Sequence, residues 1–535
     1  MNLRQTNIEK LKQGTFDVLV LGGGINGAVS AAALSAKGAR VALIDRGDFS
    51  GDTSSNSSNL AWGGIKYLES HEYLLVNRLC KSRNLLMRSY PSSVREIRFL
   101  TSIQKEFRLS PWFVYLGCLV YWLLGRLHTR PPKYLSAKDL KNREPLIDVS
   151  NAAGGVEYSD AYFYDNDARF VFNFIRTSMD LGCAAANYVE SVETVWEDGL
   201  WKASVKDHIG QSTFNIRAKV LINACGPHVD RQNQMSGEKT SHRHLFSKGV
   251  HLIVDRLTDQ QRVLAFFASD GRLFFVIPMG PKTSIGTTDN QVKTPAAEVT
   301  DEDRQFILDN VNHFLALDEP LTRKDIISER CGVRPLATQG NKDVADWVKL
   351  SRKHVIEVNK KHRHLSIFGG KLTDCINVGN EIAEHVSSLG LELSPKRNRW
   401  YGEPDAKIKQ TFFHRAGLTG LDTRVLPNTS ETIADRLWRR YGDRAIDLLE
   451  AIDRDPEQAE RLIESSDFLR CEIEHVAKHE MVARLDDFLR RRSRISQVVR
   501  HQELVNSPGL QKVCEILFGD QAKEKLQEYL HSKNS

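Results

Sequence analysis

Phe16-Asp-Val-Leu-Val-Leu-Gly-Gly-Gly-Ile-Asn-Gly27, continued by Arg40-Val-Ala-Leu-Ile-Asp45, is the stretch that decides the fold. It reads as a strand, a glycine turn, a helix and a second strand ending in an acid, the βαβ unit that binds a dinucleotide. Gly22 permits the tight turn, with Gly23 beside it. Gly24 lets a pyrophosphate approach the backbone, and Gly27 lets helix and sheet pack closely. The amides of Ile25 and Asn26 open the helix and face the phosphates. Asp45, with Arg46 after it, stands where a carboxylate takes the ribose hydroxyls. The strand, helix and acid around the glycines make the signal specific; three glycines alone would be weak.

A chain of 535 residues has room for two or three domains. Its net charge of +6 and pI of about 8.7 are too mild to argue for nucleic acid. They suit an anionic substrate or an anionic membrane surface. The eight cysteines are scattered, without a CxxC pair or metal-ligand spacing. They read as reduced thiols in a reducing compartment, with no metal site. Met1 to Gly14 is polar and does not read as a secretory signal. Pro111 to Gly125 is apolar and aromatic, flanked by Lys105, Arg108, Arg126, Arg130 and Lys133. It is too short to span a membrane and reads either as an interfacial helix or as a buried one. The basic run Phe488 to Arg494 is a second candidate for contact with an anionic leaflet.

Leucine spacing predicts a helix within Tyr67–Tyr90, and an acidic first turn predicts another over Asp301–Phe314. Strands are expected at Val189–Val195, Lys219–Asn223, Val250–Val254 and Leu273–Pro278. The pattern breaks around Ser394–Asp405. Beyond it, Glu431–His531 reads as almost wholly helical, with one helix over Glu472–Arg491. The implied division is an oxidoreductase region over 1–395 and a helical domain over 405–535. Within the first, dinucleotide-binding parts fall at about 1–95, 150–240 and 330–395, and a substrate part at 240–330.

Three further stretches carry chemistry. Gly51 to Gly64 is rich in short hydroxyls and glycines; Thr53, Ser54, Ser55, Ser58, Gly63 and Gly64 suit the far phosphate and the isoalloxazine of FAD. Ala224 and Gly226 in Asn223-Ala-Cys-Gly-Pro227, and Gly370 to Thr373 in Phe368-Gly-Gly-Lys-Leu-Thr373, are turns that admit a cofactor closely.

Together with Gly63-Gly-Ile-Lys-Tyr-Leu-Glu69, Tyr158-Ser-Asp160, Asp167-Ala-Arg169, Phe275-Val-Ile-Pro278, Gly286-Thr-Thr-Asp289 and Gly332-Val-Arg-Pro-Leu336, these motifs give the chain a family. It resembles the FAD-dependent, quinone-linked glycerol-3-phosphate dehydrogenases over nearly its whole length. His479-Glu480 and Asp486 to Arg491 resemble that family's helical cap. The resemblance implies an α/β fold: an FAD-binding Rossmann-like domain, a mixed-sheet substrate domain and a C-terminal all-helical cap.

It also implies a small phosphorylated substrate held by Lys66, Tyr67, Arg272, Arg334 and Lys371, and a proton acceptor at His251. Arg334 and Lys371 would lie closest to the reacting centre. FAD contacts are expected from Gly22 through Gly27, Asp45, Arg46, the Thr53–Gly64 loop, Ala224, Gly226 and Gly370–Thr373, with Leu372 among them. Quinone as electron acceptor, peripheral attachment to the inner face of the cytoplasmic membrane and an optional homodimer complete the expectation.

Four residues depart from the family pattern: Asn59 for Lys, Trp62 for His, Lys66 for Arg and Asp374 for Thr. Lysine keeps the charge but loses the bidentate fork of arginine. A carboxylate at 374 would weaken phosphate binding unless it points away or pairs with a cation. A flavoenzyme for another substrate, or a membrane-surface flavoprotein without this activity, are the alternatives the residues leave open.

Overall fold

The near-continuous apolar strand Thr15–Leu21 is buried as a central strand should be, between Ser212–Asn223 on one side and Val41–Ile44 on the other, both parallel to it. The computed structural model describes residues 2–268, 271–340, 353–397, 399–425 and 431–534. The first sheet runs in the order Val355–Asn359, His364–Phe368, Ser212–Asn223, Thr15–Leu21, Val41–Ile44, Ala184–Ala186. The alanine-rich helix Ile25–Ala36 lies against one face, packed between the helices Asp167–Asp180 and Cys375–Ser388. A meander of Val189–Glu197 and Leu200–Asp207 covers the other, with Trp201 fully buried in it.

The second sheet is mixed. Its strand His242–Asp255 pairs antiparallel with Ser328–Gln339 on one side and with Lys282–Gly286 and Asn290–Val292 on the other. The sheet continues through Leu273–Met279, Arg262–Phe267, Val94–Gln104 and Ala152–Phe163 to the short strand Leu60–Ala61. Val94–Gln104, Ala152–Phe163 and Ser328–Gln339 thus build the substrate-side sheet, although two of the three fall in segments expected to serve the dinucleotide. Ile97, Phe99, Val156 and Tyr158 of the first two form one cluster with Phe275 of Leu273–Met279, and Ser328–Gln339 is held by its long antiparallel register with His242–Asp255. Contacts of these kinds join strands whatever their order in the chain.

The C-terminal part is helical, from Ala406–Leu418 to Ala522–Asn534. The helix expected over Glu472–Arg491 is broken: it ends at His479, and a π-helical turn follows over Asp487–Arg492. The break brings Glu480 and the Arg490–Arg494 run inward, and this corrects the reading of that run as a membrane contact. Arg491, Arg492 and Arg494 are buried. Arg492 pairs with Asp48 at 2.8 Å, Arg491 with Asp48 at 2.6 Å, and Glu480 with Arg169 at 2.5 Å. Arg439 adds Asp165 at 2.8 Å. The cap is therefore riveted to the first domain by buried ion pairs.

The apolar segment is the helix Pro111–Leu124, capped by Ser110 and opened by proline. Only Cys118 and Tyr121 are buried, while Trp112, Phe113, Leu116, Val120 and Leu123 are exposed. At about 21 Å in length it cannot cross a bilayer. Among the described residues no helix is long and apolar enough to cross a membrane.

Candidate active site

The glycine turn forms one wall of a crevice of about 530 Å³ between the strand ends of the first sheet. Gly22 adopts φ +101°, and a Cβ there would lie 2.5 Å from the Ala224 carbonyl oxygen. A Cβ on Gly27 would lie 1.8 Å from the Gly22 oxygen. The turn is thus closed to any side chain, as the sequence requires. The Ile25 amide, first in its helix, points to Ser54 Oγ at 3.0 Å, and Asn26 Nδ2 donates to the Gly369 carbonyl at 3.2 Å.

Asp45 accepts the Gly23 amide at 2.6 Å and the Gly47 amide at 2.8 Å. Desolvation in the crevice pushes its carboxyl up to about 7, against those two amides. A ribose diol donating to Asp45 would favour the carboxylate. A close-approach glycine turn, a helix N-terminus and an acid awaiting donors together fit the ADP half of FAD.

Of the expected FAD contacts, Gly22, Gly24, Ile25, Asn26, Asp45, Arg46, Thr53, Ser54, Ala224, Gly226 and Gly370 line the crevice. Gly23 and Gly27 shape the turn behind it. Gly63 lies elsewhere: its amide is taken by buried Asp160 at 3.0 Å, and a Cβ would strike the Tyr121 hydroxyl. Ser55, Gly64, Leu372 and Thr373 also fall outside the lining. Sequence reasoning missed His228, which faces Arg46 at 2.7 Å across the crevice mouth with Asp52 nearby. It follows the Asn223–Pro227 motif by one residue, so extending that turn would have found it.

The Gly51–Gly64 loop and the turn after it carry the crevice toward two groups of side chains. On one side, Ser58 Oγ lies 2.9 Å from Nε2 of His251, whose Nδ1 has no hydrogen-bond partner among the described residues. Burial, with Arg330 and Arg334 nearby, pushes the His251 pKa well below its usual range, so the ring is neutral. Arg334 crosses the strand where Gly249 leaves space; a Cβ there would sit 2.2 Å from the guanidinium. It reaches Asp289 at 3.1 Å and Thr287 Oγ1 at 3.2 Å. Arg272 donates to the Asp289 carbonyl at 2.9 Å, so the two arginines meet at one residue. On the other side, Lys371 Nζ lies 4.5 Å from the Tyr67 ring and 5.6 Å from the Trp62 ring; Lys66 precedes Tyr67 in the turn Ile65–Leu68.

The departures separate. Trp62 belongs to the Lys371 group, and Lys66 precedes Tyr67, whose ring Lys371 covers. Asn59 is buried and structural: it accepts from Arg330, which pairs with Asp167 at 3.1 Å. Asp374 turns away from Lys371 into a cluster of its own, 3.1 Å from His354 Nδ1, 3.3 Å from Arg78 and 2.7 Å from the Ser82 hydroxyl. Its charge is matched there by Arg78 and His354.

Residues 17–364 match the FAD dependent oxidoreductase family, and residues 365–523 match the C-terminal domain of alpha-glycerophosphate oxidase. The aerobic glycerol-3-phosphate dehydrogenase of Bacillus subtilis (strain 168) is 30% identical over 514 residues, 92% of this chain and 89% of that one.

The chain belongs to the FAD-dependent glycerol-3-phosphate dehydrogenase family.

A probable glycerol-3-phosphate dehydrogenase of Encephalitozoon cuniculi is 27% identical, with 91% of this chain and 79% of that protein covered. The glycerol-3-phosphate dehydrogenase of Bacillus halodurans, solved with FAD, shares the fold with a TM-score of 0.75 at 24% identity, covering 99% and 96% of the two chains. As in that family, the cofactor is FAD.

Proposed function

We propose that this chain oxidises sn-glycerol 3-phosphate to dihydroxyacetone phosphate and hands the electrons to membrane quinone. The reading is supported above all by Arg334, which acts on buried His251 and meets Arg272 at Asp289, with Lys371 over the Tyr67 ring as a further cation of the kind a phosphate dianion needs. FAD, when bound, supplies the two-electron acceptor for the alcohol carbon. Arg334 gives a planar fork already oriented by Asp289 and Thr287, and Lys371 and Lys66 add point charges. Held at its phosphate, the substrate presents carbon 2 in a fixed orientation, and positioning of that kind is worth several kcal/mol. Neutral His251, oriented by Ser58, accepts the hydroxyl proton.

Peripheral attachment to the inner face of the cytoplasmic membrane is part of the same proposal. The exposed apolar side of Pro111–Leu124 is a face that water disfavours. Arg108, Arg126 and Arg130 flank it with positive charge. Arg334→Ala tests the substrate reading: KM for glycerol 3-phosphate should rise far more than FAD content falls, and unchanged kinetics would sink the anchor role.

A further inference from the structure

A second cavity, of about 520 Å³, lies on the substrate-side sheet away from the dinucleotide crevice. Arg98, Arg130, Lys133, Arg143 and Arg262 line it, with Glu157 as the single carboxylate. Glu157 is already shared: Arg98 holds it at 3.0 Å and Arg143 at 2.8 Å. Arg130 pairs with Glu96 at 3.1 Å. That leaves Arg262 and Lys133. Arg262 gives Nη2 to Gln260 at 3.1 Å, while its buried Nη1 has no hydrogen-bond partner among the described residues. Lys133 is exposed and makes no ion pair among the described residues.

Like charges gathered in a concave site repel, and a buried N–H without an acceptor is destabilising. An anion in the cavity would remove both penalties. We infer that this cavity is a second anion site, built for the phosphate of a phosphate ester and separate from the substrate pocket. Arginine forks and a lysine set around a hollow are the donor set phosphate selects.

Its setting favours one source of that phosphate. Lys133 and Tyr134 are consecutive in the short strand Lys133–Leu135, and the Tyr134 ring stacks on Trp112 at 4.5 Å. Trp112 begins the exposed apolar helix. Alternation along that strand puts Lys133 on the cavity face of the sheet, with Glu157, Arg98 and Arg262, and Tyr134 with the apolar helix on the opposite face. The cavity is thus separate from the apolar face, and the phosphate it takes is that of a soluble ester.

The test uses the FAD-loaded protein and the double variant Lys133→Glu, Arg262→Gln, whose flavin content and turnover with glycerol 3-phosphate should match the parent. Equilibrium dialysis with inorganic phosphate should count two sites on the parent and one on the variant. Equal counts on both proteins would overturn the site. Vesicles containing phosphatidylglycerol should bind variant and parent alike, because the cavity and the apolar helix lie on opposite faces of the sheet. A lost phosphate site with equal vesicle binding is the expected result; vesicle binding about tenfold weaker in the variant would overturn the assignment to a soluble ester.

Discussion

Arg492 of the cap meets Asp48 of the dinucleotide domain through both terminal nitrogens, at 2.8 and 2.9 Å, with neither side chain reaching solvent. Asp48 also lines the FAD crevice. Burial alone would raise its pKa, but Arg492 and Arg491 outweigh that and hold the carboxyl well below its usual range. The cap thus fixes a wall of the cofactor site.

Removing one partner from such a pair leaves a buried charge uncompensated. Arg492→Ala should lower unfolding stability by about 3 kcal/mol, moderated because Arg491 still holds Asp48. The midpoint of urea unfolding reads this directly. A loss below about 1 kcal/mol would mean that Arg491 alone suffices.

Glu480 gives the same interface a pH dependence. Burial would raise its pKa, but Arg169 lowers it from 4.5 to about 2. A carboxyl with a depressed folded-state pKa stabilises above its unfolded value. That contribution, about 3 kcal/mol, is complete above roughly pH 4.5 and fades as pH falls toward about 2. Glu480→Gln should flatten this acid limb in thermal melts between pH 5 and 3. An unchanged limb would assign it to other carboxylates.

Gly22 has two reasons to remain glycine: φ +101° and the Ala224 oxygen 2.5 Å from any Cβ. Strain of that kind costs about 1–3 kcal/mol and displaces the turn that faces the pyrophosphate. Gly22→Ala should purify with much less FAD than the parent. Full flavin occupancy would show that the turn relaxes without disturbing the site.

His251 enters the reaction already neutral, its pKa lowered well below 6.5 by burial and by Arg330 and Arg334. A lowered pKa means that the acceptor form persists as pH falls. The acid limb of kcat/KM should therefore lie below the ordinary histidine range, and His251→Asn should cost about 10²–10⁴ in kcat. An acid limb near 6.5 that survives this substitution would point to another base.

Much of this was legible in the sequence. The strand, glycine turn and Asp45 follow from local backbone geometry, so they could be read from adjacent residues. The cation set around the substrate end came through the resemblance to a family, because no spacing rule brings residue 66 to residue 371. What escaped was long-range pairing. Arg490 to Arg494 looked like a charged surface, yet the carboxylates that claim it include Asp48, more than four hundred positions away. Asp374 looked like a threat to phosphate; Arg78 and His354 take it elsewhere. Charge alone does not say whether a side chain is solvated or paired, since both satisfy it.

The central claim is that the crevice and its cations oxidise glycerol 3-phosphate through bound FAD. Anaerobic mixing of the FAD-loaded protein with glycerol 3-phosphate, followed by the visible flavin absorbance, tests it most directly. Rapid bleaching is the predicted result. A folded, FAD-replete protein whose colour does not change would contradict the account, and Trp62, whose ring lies near Lys371, and Lys66, beside Tyr67, would then be where another substrate is recognised.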